Sequence, residues 1–136
     1  MSRRRVVVTG LGLVSPVGNT VAEGWANLVA GRSGIADITR FDASAFACRF
    51  AGEVKGFRIE DYISAKEARR MDPFIHYGMV ASIQAVKDAG LDSAGLDPTR
   101  VGVMVGAGIG GIHSIENTSI NIHENKGPRK VTPFFV

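Results

Sequence analysis

Two valine-rich runs punctuate the chain. Val6, Val7 and Val8 are closed by Thr9-Gly10, and Val101-Gly102-Val103-Met104-Val105 is closed by Gly106. Short β-branched runs bounded by glycine predict strands buried on both faces. Between them the period changes. Trp25, Leu28 and Val29 fall at i, i+3 and i+4, which predicts a helix with one apolar stripe. Asn19 or Thr20 is its expected cap and Gly31 its stop. From Phe74 to Ala89 apolar residues occur nearly all round. Such a helix needs cover on most faces. Asp72-Pro73 is its expected start and Gly90 its end. Ser64-Ala65-Lys66-Glu67 has capping-box spacing and predicts a short helix through Met71. Residues 32 to 58 read as turns with a short strand near Arg49–Val54, and a weaker helix is expected from Ile112 to His123. The loop glycines Gly10 and Gly12 are expected to turn the chain sharply.

Strand, helices, strand, helix is part of a layered α/β plan. Two short strands make a marginal sheet, and the apolar helix has too little chain to bury against. The pattern therefore reads as the opening part of a larger fold, without linker, low-complexity tract or internal repeat.

Composition narrows the class. Of 136 residues, 45% are hydrophobic and 21% charged, which fits a globular protein and not a disordered chain. The 17 glycines have no triplet period, which excludes collagen. One cysteine, Cys48, excludes an intrachain disulfide framework and fits a reducing compartment. A net charge of +3 is too small to argue for nucleic acid. No apolar run reaches the roughly 20 residues that span a bilayer. The segment after MSRRR lacks a signal-peptide cleavage pattern. The expectation is a cytoplasmic protein with no nucleic-acid or membrane partner.

Isolated motifs carry little chemistry. Gly106-x-Gly108-x-x-Gly111 has the form of a dinucleotide fingerprint. The strand and ribose-binding carboxylate that should follow about 20 residues on are missing. A tight bend with positive φ at Gly108 or Gly110 is the plainer expectation, beside an apolar pocket and without phosphate. His76, His113 and His123 lack ligand spacing, so no metal is expected. Cys48 has no adjoining histidine or helix N-terminus to activate it. Lys66, Arg69 and Arg70 fall at i, i+3 and i+4, a single helix face. That face is either solvated or a docking patch for an acidic partner. Lys126, Arg129 and Lys130 form a second basic cluster.

The ordered set is more specific. RRVVVTGLGLVSPVGN, GRSGI with a following FD, RRMDPF, VGVMVGAGIGG and GPRKVTPFFV occur in register along the whole chain. In that order they resemble the start of a β-ketoacyl-acyl-carrier-protein synthase, nearest to the type II elongating enzymes of bacterial fatty-acid synthesis. The resemblance implies a thiolase-like layered α/β fold. Residues 1–136 would be the N-terminal portion of its synthase domain. It also implies a homodimer that condenses a cysteine-bound acyl chain with malonyl carrier protein, releasing carbon dioxide, without a cofactor.

On the same resemblance, Ile109 lies at the acyl pocket, and Phe134 and Phe135 lie near the pocket and the dimer interface. Lys66, Arg69, Arg70, Arg129 and Lys130 match the basic positions that receive the acidic acyl carrier protein. The family's nucleophile sits in a Thr-Ala-Cys-x-Ser segment after the PFFV motif, with two histidines and a lysine later still. Neither Cys48 nor the three histidines match those motifs, so no catalytic residue is assigned and the chain alone is expected to be inactive. A non-catalytic carrier-protein docking or dimerisation piece, and a nucleotide-binding domain, are the competing readings.

Overall fold

A computed structural model describes residues 3–124 and 127–131. The chain divides into two compact units, residues 1–57 with 80–101, and residues 58–79 with 102–136.

In the first unit, helix α1 (Val21–Val29) begins at Thr20, whose hydroxyl accepts from the Glu23 amide. Glu23 returns a carboxylate oxygen to the Asn19 amide at 2.7 Å. Between Asn19 and Thr20, the residue whose side chain caps the helix is thus Thr20. At the other end Arg32 N–H reaches the Asn27 carbonyl and Gly31 N–H the Leu28 carbonyl, with Gly31 at φ +66°. This paired closure is a Schellman motif, which needs the left-handed residue that glycine supplies at least cost. The predicted stripe is not covered: Trp25, Leu28 and Val29 are exposed, and the buried residue of α1 is Gly24.

Strand β1 (Ile35–Asp37) pairs antiparallel with β2 (Phe50–Gly52), with Ala36 opposite Ala51. β2 is the strand expected near residues 49–54. β1 was concealed in a turn-rich stretch, because three residues are too few to show a period.

The two valine runs differ from expectation. Neither Val6–Val8 nor Val101–Val105 belongs to a strand. A strand exists only by pairing, and neither run has a ladder partner among the described residues. Their side chains stand in solvent, with Val6 91% and Met104 98% exposed.

Helix α3 (Pro73–Asp88) contributes to both units. Its only fully buried side chain is Val80, while Phe74, Ile83 and Val86 are exposed. The expected all-round cover is therefore absent among the described residues. In the first unit α3 instead receives the 10–19 loop. Gln84 accepts from the Leu13 amide and donates to the Asn19 carbonyl, and Asp88 accepts from the Leu11 amide. The glycines of this loop have no positive φ. They serve close approach, not turning. A Cβ on Gly12 would lie 2.8 Å from the Ala81 carbonyl carbon, and one on Gly10 would lie 2.6 Å from the Ala89 amide nitrogen.

In the second unit a 3-10 turn (Ile59–Asp61) packs with helix α2 (Ala65–Ala68), burying Ile59 and Ala68. The capping box of α2 is complete, with Ser64 and Glu67 bonded reciprocally. The helix is shorter than expected. Arg70 N–H bonds the Glu67 carbonyl and Met71 N–H the Ala68 carbonyl, tightening the chain before Met71. Helix α4 (Ile112–Glu124) follows the glycine turn, and the Pro128–Lys130 turn packs against it.

Candidate functional site

Lys66, Arg69, Arg70, Ile109, Arg129 and Lys130 lie in the second unit. Ile109 sits in a bend, 80% exposed, and leads into α4 through Gly110 and Gly111. Positive φ occurs at Gly111 (+72°) and not at Gly108 or Gly110, where it was expected. Gly110 is needed for a different reason: a Cβ there would lie 2.6 Å from two carbons of the Phe74 ring. A Cβ at Gly106 or Gly108 meets open space. The turn is thus crowded at its C-terminal end and free at its N-terminal end. It does not leave a strand, unlike the context of a dinucleotide loop.

Lys66, Arg69 and Arg70 are exposed around the C-terminal part of α2. Because α2 ends at Ala68, Lys66 lies within the helix, Arg69 caps it and Arg70 lies beyond. Glu67 sits among them. Its carboxyl is held below the usual carboxylate range, first by the Ser64 hydroxyl, then by the Ser64 amide and by the charge of Arg70. His76 Nε2 lies 2.9 Å from the Ala68 carbonyl, tying the end of α2 to α3. Arg129, also exposed, lies in the Pro128–Lys130 turn, which Lys130 closes. α2 packs with the Ile59 turn, and the Pro128–Lys130 turn packs with α4. Lys126, Phe134 and Phe135 lie outside the described residues.

The remaining candidates form no reactive group. Cys48 is exposed, with its sulfur 3.5 Å from the Phe50 carbonyl. His113 bonds Asn117 within α4. Among the described residues no cluster of three metal-ligating side chains exists, and no helix is long and apolar enough to cross a membrane. A groove of about 690 Å³ lies in the first unit, lined by Leu11, Val21, Trp25, Gln84, Lys87 and Asp88 among others. No residue of the glycine turn lines it. Sequence reading missed this groove because it depends on Gly10 and Gly12 lying against α3.

Residues 3–136 match the family model described as the β-ketoacyl synthase N-terminal domain. The chain belongs to the β-ketoacyl synthase family. It is 56% identical over all 136 residues to the 3-oxoacyl-[acyl-carrier-protein] synthase 2 of Vibrio cholerae, and 55% identical to that of Vibrio harveyi. It spans 33% and 32% of those relatives. Among solved structures, the ishigamide ketosynthase/chain length factor superposes with a TM-score of 0.76 at 34% identity, covering 98% of this chain and 33% of that one. A type II polyketide ketosynthase, bound to a hexaketide and in complex with its acyl-carrier protein, gives 0.75 at 32% identity over 97% of this chain and 34% of that one. The fold class is therefore the thiolase-like one of the ketosynthases.

Proposed function

We propose that this chain is the N-terminal part of a 3-oxoacyl-acyl-carrier-protein synthase that elongates fatty acids by decarboxylative condensation with malonyl carrier protein. The observation that carries the reading is the 56% identity, along the full chain, to an enzyme of that name. In this reading Ile109 borders the acyl chain, with Phe134 and Phe135 near the same pocket and the homodimer interface. Lys66, Arg69, Arg70, Arg129 and Lys130 receive the acidic face of the carrier protein. A solved ketosynthase relative is in complex with an acyl-carrier protein, which supports a partner of this kind.

The reaction needs a thiolate to carry the acyl chain and donors that stabilise the enolate formed as carbon dioxide leaves. Cys48, the single cysteine, lies outside any Thr-Ala-Cys-x-Ser segment, and among the described residues no three His, Cys, Asp or Glu side chains gather at one site. Residues 1–136 alone are therefore catalytically silent. Acyl carrier protein and malonyl carrier protein incubated with this chain should give no ketoacyl product, and the complete synthase that contains it should give one. Turnover by the chain alone, abolished in Cys48→Ala, would make Cys48 a nucleophile and overturn this assignment.

A further inference from the structure

The glycine turn is held from one side by the start of α3. The Ser114 hydroxyl, on the third residue of α4, donates to Asp72 Oδ1 at 2.5 Å. The other carboxylate oxygen faces the turn itself: a Cβ on Gly111 would lie 3.0 Å from Asp72 Oδ2. Two residues along, the Phe74 ring occupies the place a Gly110 side chain would need. Asp72 is itself anchored, because its carbonyl accepts from the Ile75 and His76 amides as α3 begins. Asp72 and Ser114 are both half-buried. The carboxylate also lies beside the first turn of α4, where helix polarity favours negative charge.

Among the described residues, no such bond holds the other end of the turn. The space beside Gly106 and Gly108 is open, and Ile109 is largely exposed. Among the described residues, the close contacts next to Ile109 are thus those of the residues that follow it. We infer that Asp72 and Ser114 form a clamp that positions Ile109, and through it sets which acyl-chain lengths the synthase accepts. This rests on the reading of Ile109 as an acyl-pocket residue. Both are positioning residues, since they act on the substrate only through Ile109.

The test uses the complete synthase and acyl-carrier-protein substrates of graded chain length. Ser114→Ala removes the donor with little change of bulk, and Ser114→Thr keeps a hydroxyl. Ile109→Ala reports on the pocket itself. The expected result is that S114A shifts the long-to-short ratio of kcat/KM by about threefold or more, the size expected when a coupled contact is lost. S114T should restore the ratio, and I109A should shift it further. If I109A alters the ratio while S114A does not, the clamp is wrong and the pocket reading stands. If I109A leaves the ratio unchanged, the pocket reading fails and the clamp falls with it. A uniform loss of kcat across all lengths in S114A, with a lowered Tm, would reduce the bond to a structural one and overturn the inference.

Discussion

Glycine is where single residues say most about this chain, and where identity alone misleads. Gly12 and Gly108 both sit in glycine-rich loops without positive φ. Their surroundings are opposite, since Gly12 lies on the α3 backbone and Gly108 faces open space. A methyl group on Gly12 has to displace helix backbone, and overpacking of that kind costs about 1–3 kcal/mol. A methyl group on Gly108 displaces nothing among the described residues. In the complete synthase, Gly12→Ala should lower Tm by several degrees, whereas Gly108→Ala should leave it unchanged. Thermal melts of the two variants check this, and equal shifts would contradict it. The distinction was not legible in the sequence, because close approach depends on α3, which lies about 70 residues further along. The same holds for Asp72. Its place as a helix start could be read from Asp72-Pro73, but its bond to Ser114 spans 42 residues.

At the scale of elements, legibility follows the range of the interactions. Caps act over three or four residues. Thr20 with Glu23, Ser64 with Glu67, and the stops at Gly31 and Gly90 accordingly lie where the spacing puts them. Strands need partners, and the valine runs that look most like strands are unpaired among the described residues, while Ile35–Asp37 pairs without a visible pattern. Helix α2 shows both sides. Its cap was readable, yet it ends at Ala68, so that Arg69 caps the helix and Arg70 lies beyond it. Exposed charges of one sign suit steering of an acidic partner. Reversing Arg69 and Arg70 to glutamate in the complete synthase should slow carrier-protein association about tenfold or more at low salt, and flatten its salt dependence. Stopped-flow association at two ionic strengths measures this. An unchanged rate at low salt would make the cluster a solvated face.

For the whole molecule the decisive quantity is apolar surface left in water. Val6, Val7, Val8, Val103, Met104 and Val105 range from 68% to 98% exposed, and the Trp25 stripe of α1 is open as well. Against this, the buried hydrophobic residues among the described ones are Ala43, Ile59, Ala68 and Val80, two of them alanines. Fully burying a side chain such as valine or methionine contributes about 1.5–3 kcal/mol. Six uncovered side chains therefore forgo on the order of 10 kcal/mol, which is comparable to the whole 5–15 kcal/mol margin of an ordinary domain. The helix caps and the loop bonds to Gln84 and Asp88 contribute about 1 kcal/mol each and cannot offset such a loss. The relatives are three times as long as this chain, and the further chain in a complete synthase is the natural cover for these surfaces. Residues 1–136 expressed alone should consequently be molten or aggregated. Far-UV circular dichroism would show helix, dye binding would report exposed apolar surface, and no sharp melt would be seen. The complete synthase should melt cooperatively. A monomeric 136-residue protein with a single sharp transition would show that the valine runs find cover within the chain itself, and would favour an independently folded docking module over a dependent part of the enzyme.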